Sequence, residues 1–130
     1  MKVTYSTLIL FFIAVVLSSC INNKENLEYA VDHKKIRLIL PDNRDYIKYE
    51  EIVPVKFFLK GIKLNQLRIF GPGISISSIN DSTLKGTIFV KERYGKFLPN
   101  SIKKDTLHIK ILIVENKIKY RGEILVPLKR

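Results

Sequence analysis

The sequence contains very few of the residue types from which catalytic and metal sites are usually built. It has one cysteine and two histidines among 130 residues. Neither His33 nor His108 has a second histidine or an acid at the spacing of a metal ligand set. A single cysteine also excludes an internal disulfide. We therefore expect no metal, no cofactor and no disulfide, and we interpret both histidines as solvated residues.

The carboxylates, serines and glycines do not form a recognisable catalytic pattern either. Glu50 and Glu51 are the only adjacent acidic pair, and neighbouring residues of a strand point to opposite faces. The serines at 75, 77 and 78 are not part of a nucleophile elbow. The glycines of Gly71-Pro72-Gly73 form a turn before a strand and not a phosphate-binding loop. The sequence therefore predicts that the protein is not an enzyme.

Long apolar runs are absent after the first twenty residues. The one such run, LILFFIAVVL (8–17), follows Lys2 and precedes Ser18 and Ser19. A charged start, a short apolar stretch and small residues are typical of an export signal. The run is too short for a membrane-spanning helix, which needs about 20 apolar residues. A buried helix of a globular domain is disfavoured, because that helix would show a polar face.

The end of this segment, Leu17-Ser18-Ser19-Cys20, resembles the lipobox of bacterial lipoproteins. The resemblance implies cleavage between Ser19 and Cys20 and attachment of lipid to the Cys20 thiol. Two or three acyl chains anchor a protein stably where one does not. An ordinary secretory signal followed by a chance cysteine is the alternative. Ile21, rather than an aspartate, follows the cysteine, so the resemblance favours the outer membrane without indicating which side of it.

The sequence predicts three segments with different roles. Residues 1–19 are the signal peptide, 20–33 are the lipidated amino terminus and a flexible tether, and 34–130 are the folded domain. About 110 residues remain after cleavage, which is enough for a single domain.

Hydrophobic residues alternate with polar ones almost everywhere after residue 34, which is the period of a β-strand. The inward-facing positions are Ile36, Leu38 and Leu40; Val53, Val55, Phe57 and Leu59; Leu67 and Ile69; Leu84, Ile88 and Val90; and Leu107, Ile109, Ile111 and Ile113. No helical pattern of ten residues separates these strands. The sequence predicts an all-β fold, a small antiparallel β-sandwich of about seven strands, with a small closed barrel as the alternative.

Three local features refine this prediction. Pro54 indicates an edge position or the start of a strand. Gly122 indicates a β-bulge or a close backbone approach. Residues 93–105 are predicted to be a long irregular loop.

Two stretches resemble the carboxy-terminal domains of the gliding-motility protein GldM. They are Gly61–Ile69 followed by Gly71-Pro72-Gly73, and Tyr120–Val126. The resemblance implies an Ig-like sandwich in the cell envelope. It does not imply the motor function, because the repeats and the transmembrane helix of that family have no counterpart here.

The chain is strongly basic, with 23 Lys and Arg against 12 Asp and Glu and a formal net charge of +11. Lys2 is the only charged residue of the signal segment, so the exported chain keeps about +10. Such a charge is typical of a protein that binds a polyanion. Export makes nucleic acid an unexpected partner and leaves anionic lipid head groups and acidic envelope glycans. A generally lysine-rich proteome is the alternative explanation.

The outward positions of the predicted strands combine cations with apolar side chains. The function we expect is that of a scaffold subunit, which docks onto an envelope protein through strand edges or through Phe58 and Phe89. The alternative is a binder of anionic glycan or lipid heads through the basic residues of this candidate binding face. Lysine stems that merely cover the sheet are the structural alternative. The residues of the face are Lys56, Phe58, Lys60, Arg68, Lys85, Phe89, Lys91, Lys110, Lys119 and Arg121, with Leu112 in the same phase.

Two short patterns, Asp81-Ser82-Thr83 and Asp105-Thr106-Leu107, resemble sites that some bacteria O-glycosylate in envelope proteins. They make Ser82 and Thr106 candidate modification sites at predicted strand entries.

Overall fold

The structure, a computed structural model, describes residues 27–80 and 82–130. The predicted signal peptide, Ser19, Cys20, most of the predicted tether and Asp81 lie outside these residues. The described residues form ten β-strands and one short helix, α1 (Tyr94–Phe97). The strands are β1 (Glu28–Val31), β2 (Lys34–Ile39), β3 (Ile47–Lys48), β4 (Ile52–Lys60), β5 (Leu67–Phe70), β6 (Ile74–Ile79), β7 (Thr83–Phe89), β8 (Ile102–Lys103), β9 (Thr106–Glu115) and β10 (Ile118–Lys129).

These strands form two sheets. The first sheet has the order β1-β2-β4-β7-β6, and the second has the order β3-β10-β9-β5 with β8 paired to β9. All described strand pairs are antiparallel except β3 with β10, which is parallel. The orders β2-β4-β7-β6 and β10-β9-β5 match the A-B-E-D and G-F-C sheets of an immunoglobulin constant-type domain. The predicted all-β sandwich is confirmed, with two separate sheets instead of a closed barrel.

The core lies between the sheets and is built from the inward positions that the alternation predicted. In β4, Val53, Val55, Phe57 and Leu59 are buried while every residue between them is exposed. In β9, the corresponding set is Leu107, Ile109, Ile111 and Ile113, each no more than 2% exposed. Burial of these branched and aromatic side chains from both sheets is the main stabilising contribution to the fold.

The sandwich has more elements than the sequence predicted, and it begins earlier. Leu27 is buried at 4% exposure, and β1 pairs with β2, so residues 27–33 are part of the domain and not of the tether. The predicted irregular stretch 93–105 contains α1 and β8. These elements were missed because a strand of two residues is too short to show a period, and because EYAV (28–31) does not alternate.

Pro54 and Gly122 both have structural explanations. Pro54 lies in a central strand, contrary to the edge prediction, but β2 pairs with β4 only as far as Lys56. Pro54 therefore pairs with β7 alone and interrupts no contact with β2. Gly122 is not in a bulge, since the β9–β10 register is continuous. It lies where the Tyr29 ring packs so closely that a Cβ atom would overlap it, so the predicted close approach is confirmed.

The sandwich has two chemically different ends. At one end β4 begins, β7 ends and residues 91–105 connect the sheets; we call this the 91–105 end. At the opposite end lie the turn at Asp32–His33, the segment 61–66 and the hairpin turn Asn116–Lys117. Asn116 and Lys117 have φ of 52° and 66°, which is the conformation of a two-residue hairpin turn.

Candidate anion-binding face

The ten residues of the predicted binding face do not lie on one surface. They divide between the outer faces of two sheets, which point in opposite directions from the core. Lys56, Phe58, Lys60, Lys85 and Phe89 belong to the first sheet, with Lys91 just after β7, whereas Arg68, Lys110, Lys119 and Arg121 belong to the second sheet.

The apolar residues of that predicted face are also separated. Phe58 lies opposite Thr83, and Phe89 lies opposite Ile52. The six-residue offset along β4 places the two rings about 20 Å apart. Leu112 is on β9 of the other sheet. These side chains therefore do not form a single docking patch.

The first sheet nevertheless concentrates cations on its outer face. Lys35 lies directly opposite Lys60, and Lys56 lies directly opposite Lys85. Residues in such pairs have Cβ atoms about 5 Å apart, and like charges there are destabilising. We define the basic face as Lys35, Arg37, Lys56, Lys60 and Lys85.

Few carboxylates offset this charge. Lys35 forms an ion pair with Glu28, with 3.2 Å between its Nζ and a carboxylate oxygen. Among the described residues, Arg37, Lys56, Lys60 and Lys85 have no ion-pair partner within 4.0 Å. Four neighbouring cations on one sheet face thus remain available to a ligand.

An aromatic ring lies among these cations. Phe58 is 44% exposed, faces Arg37 across the β2–β4 pair and has Lys56 and Lys60 two residues away on its own strand. Lys35, Arg37, Ile39, Phe58 and Lys60 line a shallow depression. The cations can bind an anionic group, while the exposed ring between them packs against a sugar ring.

The outer face of the second sheet has a more mixed charge. Lys110 lies directly opposite Glu123, whose carboxylate is 2.9 Å from Nδ1 of His108. Arg68 and Arg121 flank Leu112 in one cross-strand row. Glu123 therefore places a carboxylate beside Lys110 on this face, although Arg68, Lys110, Lys119 and Arg121 have no ion-pair partner within 4.0 Å among the described residues.

Sequence reasoning missed Lys35 and Arg37. The signal was present, because the inward positions Ile36, Leu38 and Leu40 require residues 35, 37 and 39 to point outward. Lys35 and Arg37 were not included in the predicted binding face, because β2 follows the predicted tether and the sequence does not show which strand pairs with it.

The same alternation places Lys34 on the core side of β2. It is 1% exposed and forms an ion pair with Glu115. Its Nζ lies 3.2 Å from Nε2 of His33 and 5.5 Å from the centre of the Tyr120 ring. The hydrogen bond from Lys34 holds the pKa of Glu115 below its usual value. The sequence analysis did not identify this cluster.

Both histidines have side-chain partners; His33 is exposed, whereas His108 is half-buried. His33 contacts Lys34, and His108 contacts Glu123. The proposed modification sites differ in their surroundings. Ser82 is exposed in the turn before β7, while Thr106 is half-buried and its strand pairs with β8 and β10.

Neither a metal site nor a membrane span appears in the part of the chain that the structure describes. Within residues 27–80 and 82–130, no three His, Cys, Asp or Glu side chains are grouped so as to hold a metal ion. Over the same residues, no helix has the length and hydropathy needed to cross a bilayer.

Comparisons with known proteins do not add a family assignment. No protein-family model matches the sequence, and searches of curated proteins and of solved structures find no match.

Proposed function

We propose that this protein is a non-catalytic binding module of the cell envelope, anchored by lipid at Cys20, whose basic face binds an anionic glycan or a phosphate-bearing lipid head group. The observation that carries the proposal is the presence of two pairs of directly opposed lysines. These pairs are Lys35 with Lys60 and Lys56 with Lys85. A folded sheet gains nothing from placing like charges opposite each other.

A bound anion would remove that repulsion. Each exposed pair contributes less than about 1 kcal/mol of repulsion in water, so the sheet tolerates it. An anionic group placed between the lysines of each pair is attracted by both, and several such groups on one polymer add their contributions. Exposed charges are screened over about 10 Å at 0.1 M salt, so the binding will depend on ionic strength.

The test compares dextran sulfate with neutral dextran as immobilised ligands. We expect the protein to bind only the sulfated polymer, and the affinity to fall about tenfold or more as salt rises from about 50 to about 500 mM. The Lys56→Gln/Lys85→Gln variant should bind at least about tenfold more weakly.

A matched control removes the same number of charges from the other sheet. Lys119→Gln/Arg121→Gln should retain most of the affinity, because Lys119 and Arg121 lie on the outer face of the second sheet. Equal loss in both double variants would mean that net charge alone drives binding, and it would remove the basic face as a site. Vesicles with and without phosphatidylglycerol, in a parallel assay, separate a lipid head group from a glycan.

A second candidate function, a scaffold subunit that docks onto an envelope protein, is favoured by one strand. β6 is the last strand of the first sheet, and its sequence ISISSI contains no charged residue. Its Ile76 and Ile79 are 38% and 65% exposed. An exposed, uncharged edge strand can receive a strand from a partner protein.

A further inference from the structure

We infer that the 91–105 end of the sandwich rests on the surface of the membrane, with Phe97 and Leu98 inserted between the lipid head groups. The inference rests on the proposed lipid attachment at Cys20 and adds to it an orientation of the domain. Four observations support it.

The first observation is the exposure of three apolar side chains at this end. Phe97 is 73% exposed, the highest value among the exposed large hydrophobic residues described, and Leu98 is 38% exposed. Ile52, at the beginning of β4, is 68% exposed. Amphipathic segments with aromatic and leucine side chains bury these residues at the boundary between head groups and acyl chains.

The second observation is that the segment carrying Phe97 is firmly attached to the core. Tyr94 packs against the core cluster from α1, and Ile102 is buried at 5% exposure. The backbone N–H groups of Ser101 and Ile102 both donate to the carbonyl oxygen of Leu98 at 3.0 Å. Phe97 is therefore displayed on a structured projection.

The third observation concerns charge. The segment 91–105 contains the cations Lys91, Arg93, Lys96, Lys103 and Lys104. Its two acids are both engaged by one side chain, since Arg130 lies 3.6 Å from Glu92 and 3.5 Å from Asp105.

The neighbouring segment 41–51 supplies four further carboxylates. Glu51 pairs with Arg44 at 3.6 Å, and Glu50 accepts a hydrogen bond from the backbone N–H of Glu92 at 3.1 Å. Asp42 and Asp45 have no ion-pair partner within 4.0 Å among the described residues. The cations of segment 91–105 can reach lipid phosphates with their long side chains.

The fourth observation is the direction from which the chain enters the fold. β1 runs away from the 91–105 end toward the turn at Asp32–His33, because it is antiparallel to β2, which is antiparallel to β4. Leu27 therefore lies next to the end of β1 that is directed toward the 91–105 end. Residues 20–26 span at most about 25 Å when fully extended, so this end lies within reach of an anchored Cys20.

This orientation also bears on the ligand of the basic face. The strands run between the two ends of the sandwich, so a domain standing on its 91–105 end turns both sheet faces sideways. The basic face then points along the membrane surface, which favours a glycan over the lipids of the membrane beneath.

The sequence offers a direct test because it contains no tryptophan and one cysteine. The chain from Cys20 to Arg130 retains every buried apolar side chain of the described core, from Leu27 to Leu128. Its single thiol can be coupled to a maleimide lipid in phosphatidylethanolamine/phosphatidylglycerol vesicles. A Phe97→Trp variant then carries one fluorescent reporter at the proposed contact.

On vesicles, the Phe97→Trp emission should shift to shorter wavelength and should be quenched by lipids with brominated acyl chains. The matched control is Ile118→Trp, because Ile118 is 54% exposed and lies beside the hairpin turn at the opposite end; its emission should not change. Emission from the Phe97→Trp variant that is identical with and without vesicles, or equal quenching of both reporters, would overturn the orientation.

This experiment separates the orientation from the functions on which it builds. Chemical coupling provides the anchor whether or not the cell lipidates Cys20, and dextran sulfate binding reports the basic face independently. A negative fluorescence result therefore overturns the membrane contact alone.

Discussion

At the scale of single residues, the Lys34–Glu115 pair is the most unusual feature of the core. Lys34 is almost completely buried, and Glu115 is partly exposed. A buried ammonium group is tolerated only with a good partner, and removing that partner is strongly destabilising. The pair joins the beginning of β2 in the first sheet to the end of β9 in the second.

We predict that Glu115→Gln lowers the free energy of unfolding at pH 7 and that this deficit shrinks in acid. The folded-state pKa of Glu115 lies below its ordinary value of 4.5. Its ionised form therefore stabilises the protein above pH 4.5, and that contribution is lost as pH falls through the lowered pKa. Urea unfolding at pH 7 and near pH 3 measures the difference.

Two further variants sharpen this prediction. Glu123→Gln, on the exposed face of the same hairpin, should show a smaller deficit at pH 7. Lys34→Met introduced into Glu115→Gln should restore stability, because a well-packed apolar side chain replaces a buried charge without a partner. A double variant no more stable than Glu115→Gln would contradict this account.

Gly122 provides a second residue-scale prediction. Because a Cβ atom at this position would overlap the Tyr29 ring, Gly122→Ala should lower the free energy of unfolding by about 1–3 kcal/mol. Gly95→Ala is the control, since its Cβ would lie 3.7 Å from Ile102, an ordinary contact. In a Tyr29→Ala background the cost of Gly122→Ala should largely disappear, and full additivity of the two changes would argue against the clash.

At the scale of elements, β6 differs from the other edges of the sandwich. The edge strand β5 of the second sheet contains Arg68, and the edge strand β1 of the first sheet contains Glu28 and packs against β10 through Tyr29 and Gly122. β6 has no charged residue, although its pairing with β7 shifts register between Ile76 and Ser78. A free edge of this kind is where strands from other molecules add.

We predict that Ile76→Lys blocks any association that uses this edge while leaving the fold intact. A charge on an edge strand opposes pairing with another strand, and Ile76 is already 38% exposed. Cross-linking in intact cells followed by mass spectrometry should lose the captured envelope protein in this variant. Ile118→Lys, at a more exposed position away from β6, should retain it; loss in both variants would separate docking from the β6 edge.

At the scale of the whole molecule, the proposed anchor, the basic face and the cations of segment 91–105 form one arrangement. The 91–105 end lies within reach of the proposed anchor, the apolar projection of Phe97 lies at that end, and the basic face lies along the side. If the charge of +11 were spread evenly, an anionic ligand would have no preferred side of the domain. The cations clustered on the first sheet favour binding at that sheet.

We predict that Cys20→Ala prevents incorporation of radiolabelled palmitate and moves the protein from the membrane fraction to the soluble fraction. The chain has no other thiol, and non-covalent contacts of one small domain are weaker than two or three acyl chains. Ser18→Ala, which keeps a small residue before the cleavage site, is the control and should remain labelled. Labelling that persists in Cys20→Ala would disprove the lipobox interpretation.

The alternation of apolar side chains determined much of this protein from sequence. A strand has a period of two, so Val53, Val55, Phe57 and Leu59 could only share a face, and the same rule applied to β2, β7 and β9. The all-β class and the sandwich followed from the number of such strands and their turns. Elements of two residues, such as β3 and β8, carry no period and were not predictable.

Only the tertiary structure decided which strands are neighbours. The period tells inward from outward within a strand but not which sheet the strand joins, because pairing depends on long-range contacts across the sandwich. For this reason the ten predicted face residues separated onto two opposite surfaces, while Lys35 and Arg37 joined the basic face. The pairing of Lys34 with Glu115 has the same origin. The two residues are 81 positions apart in the sequence, and only the packing of the two sheets brings them together.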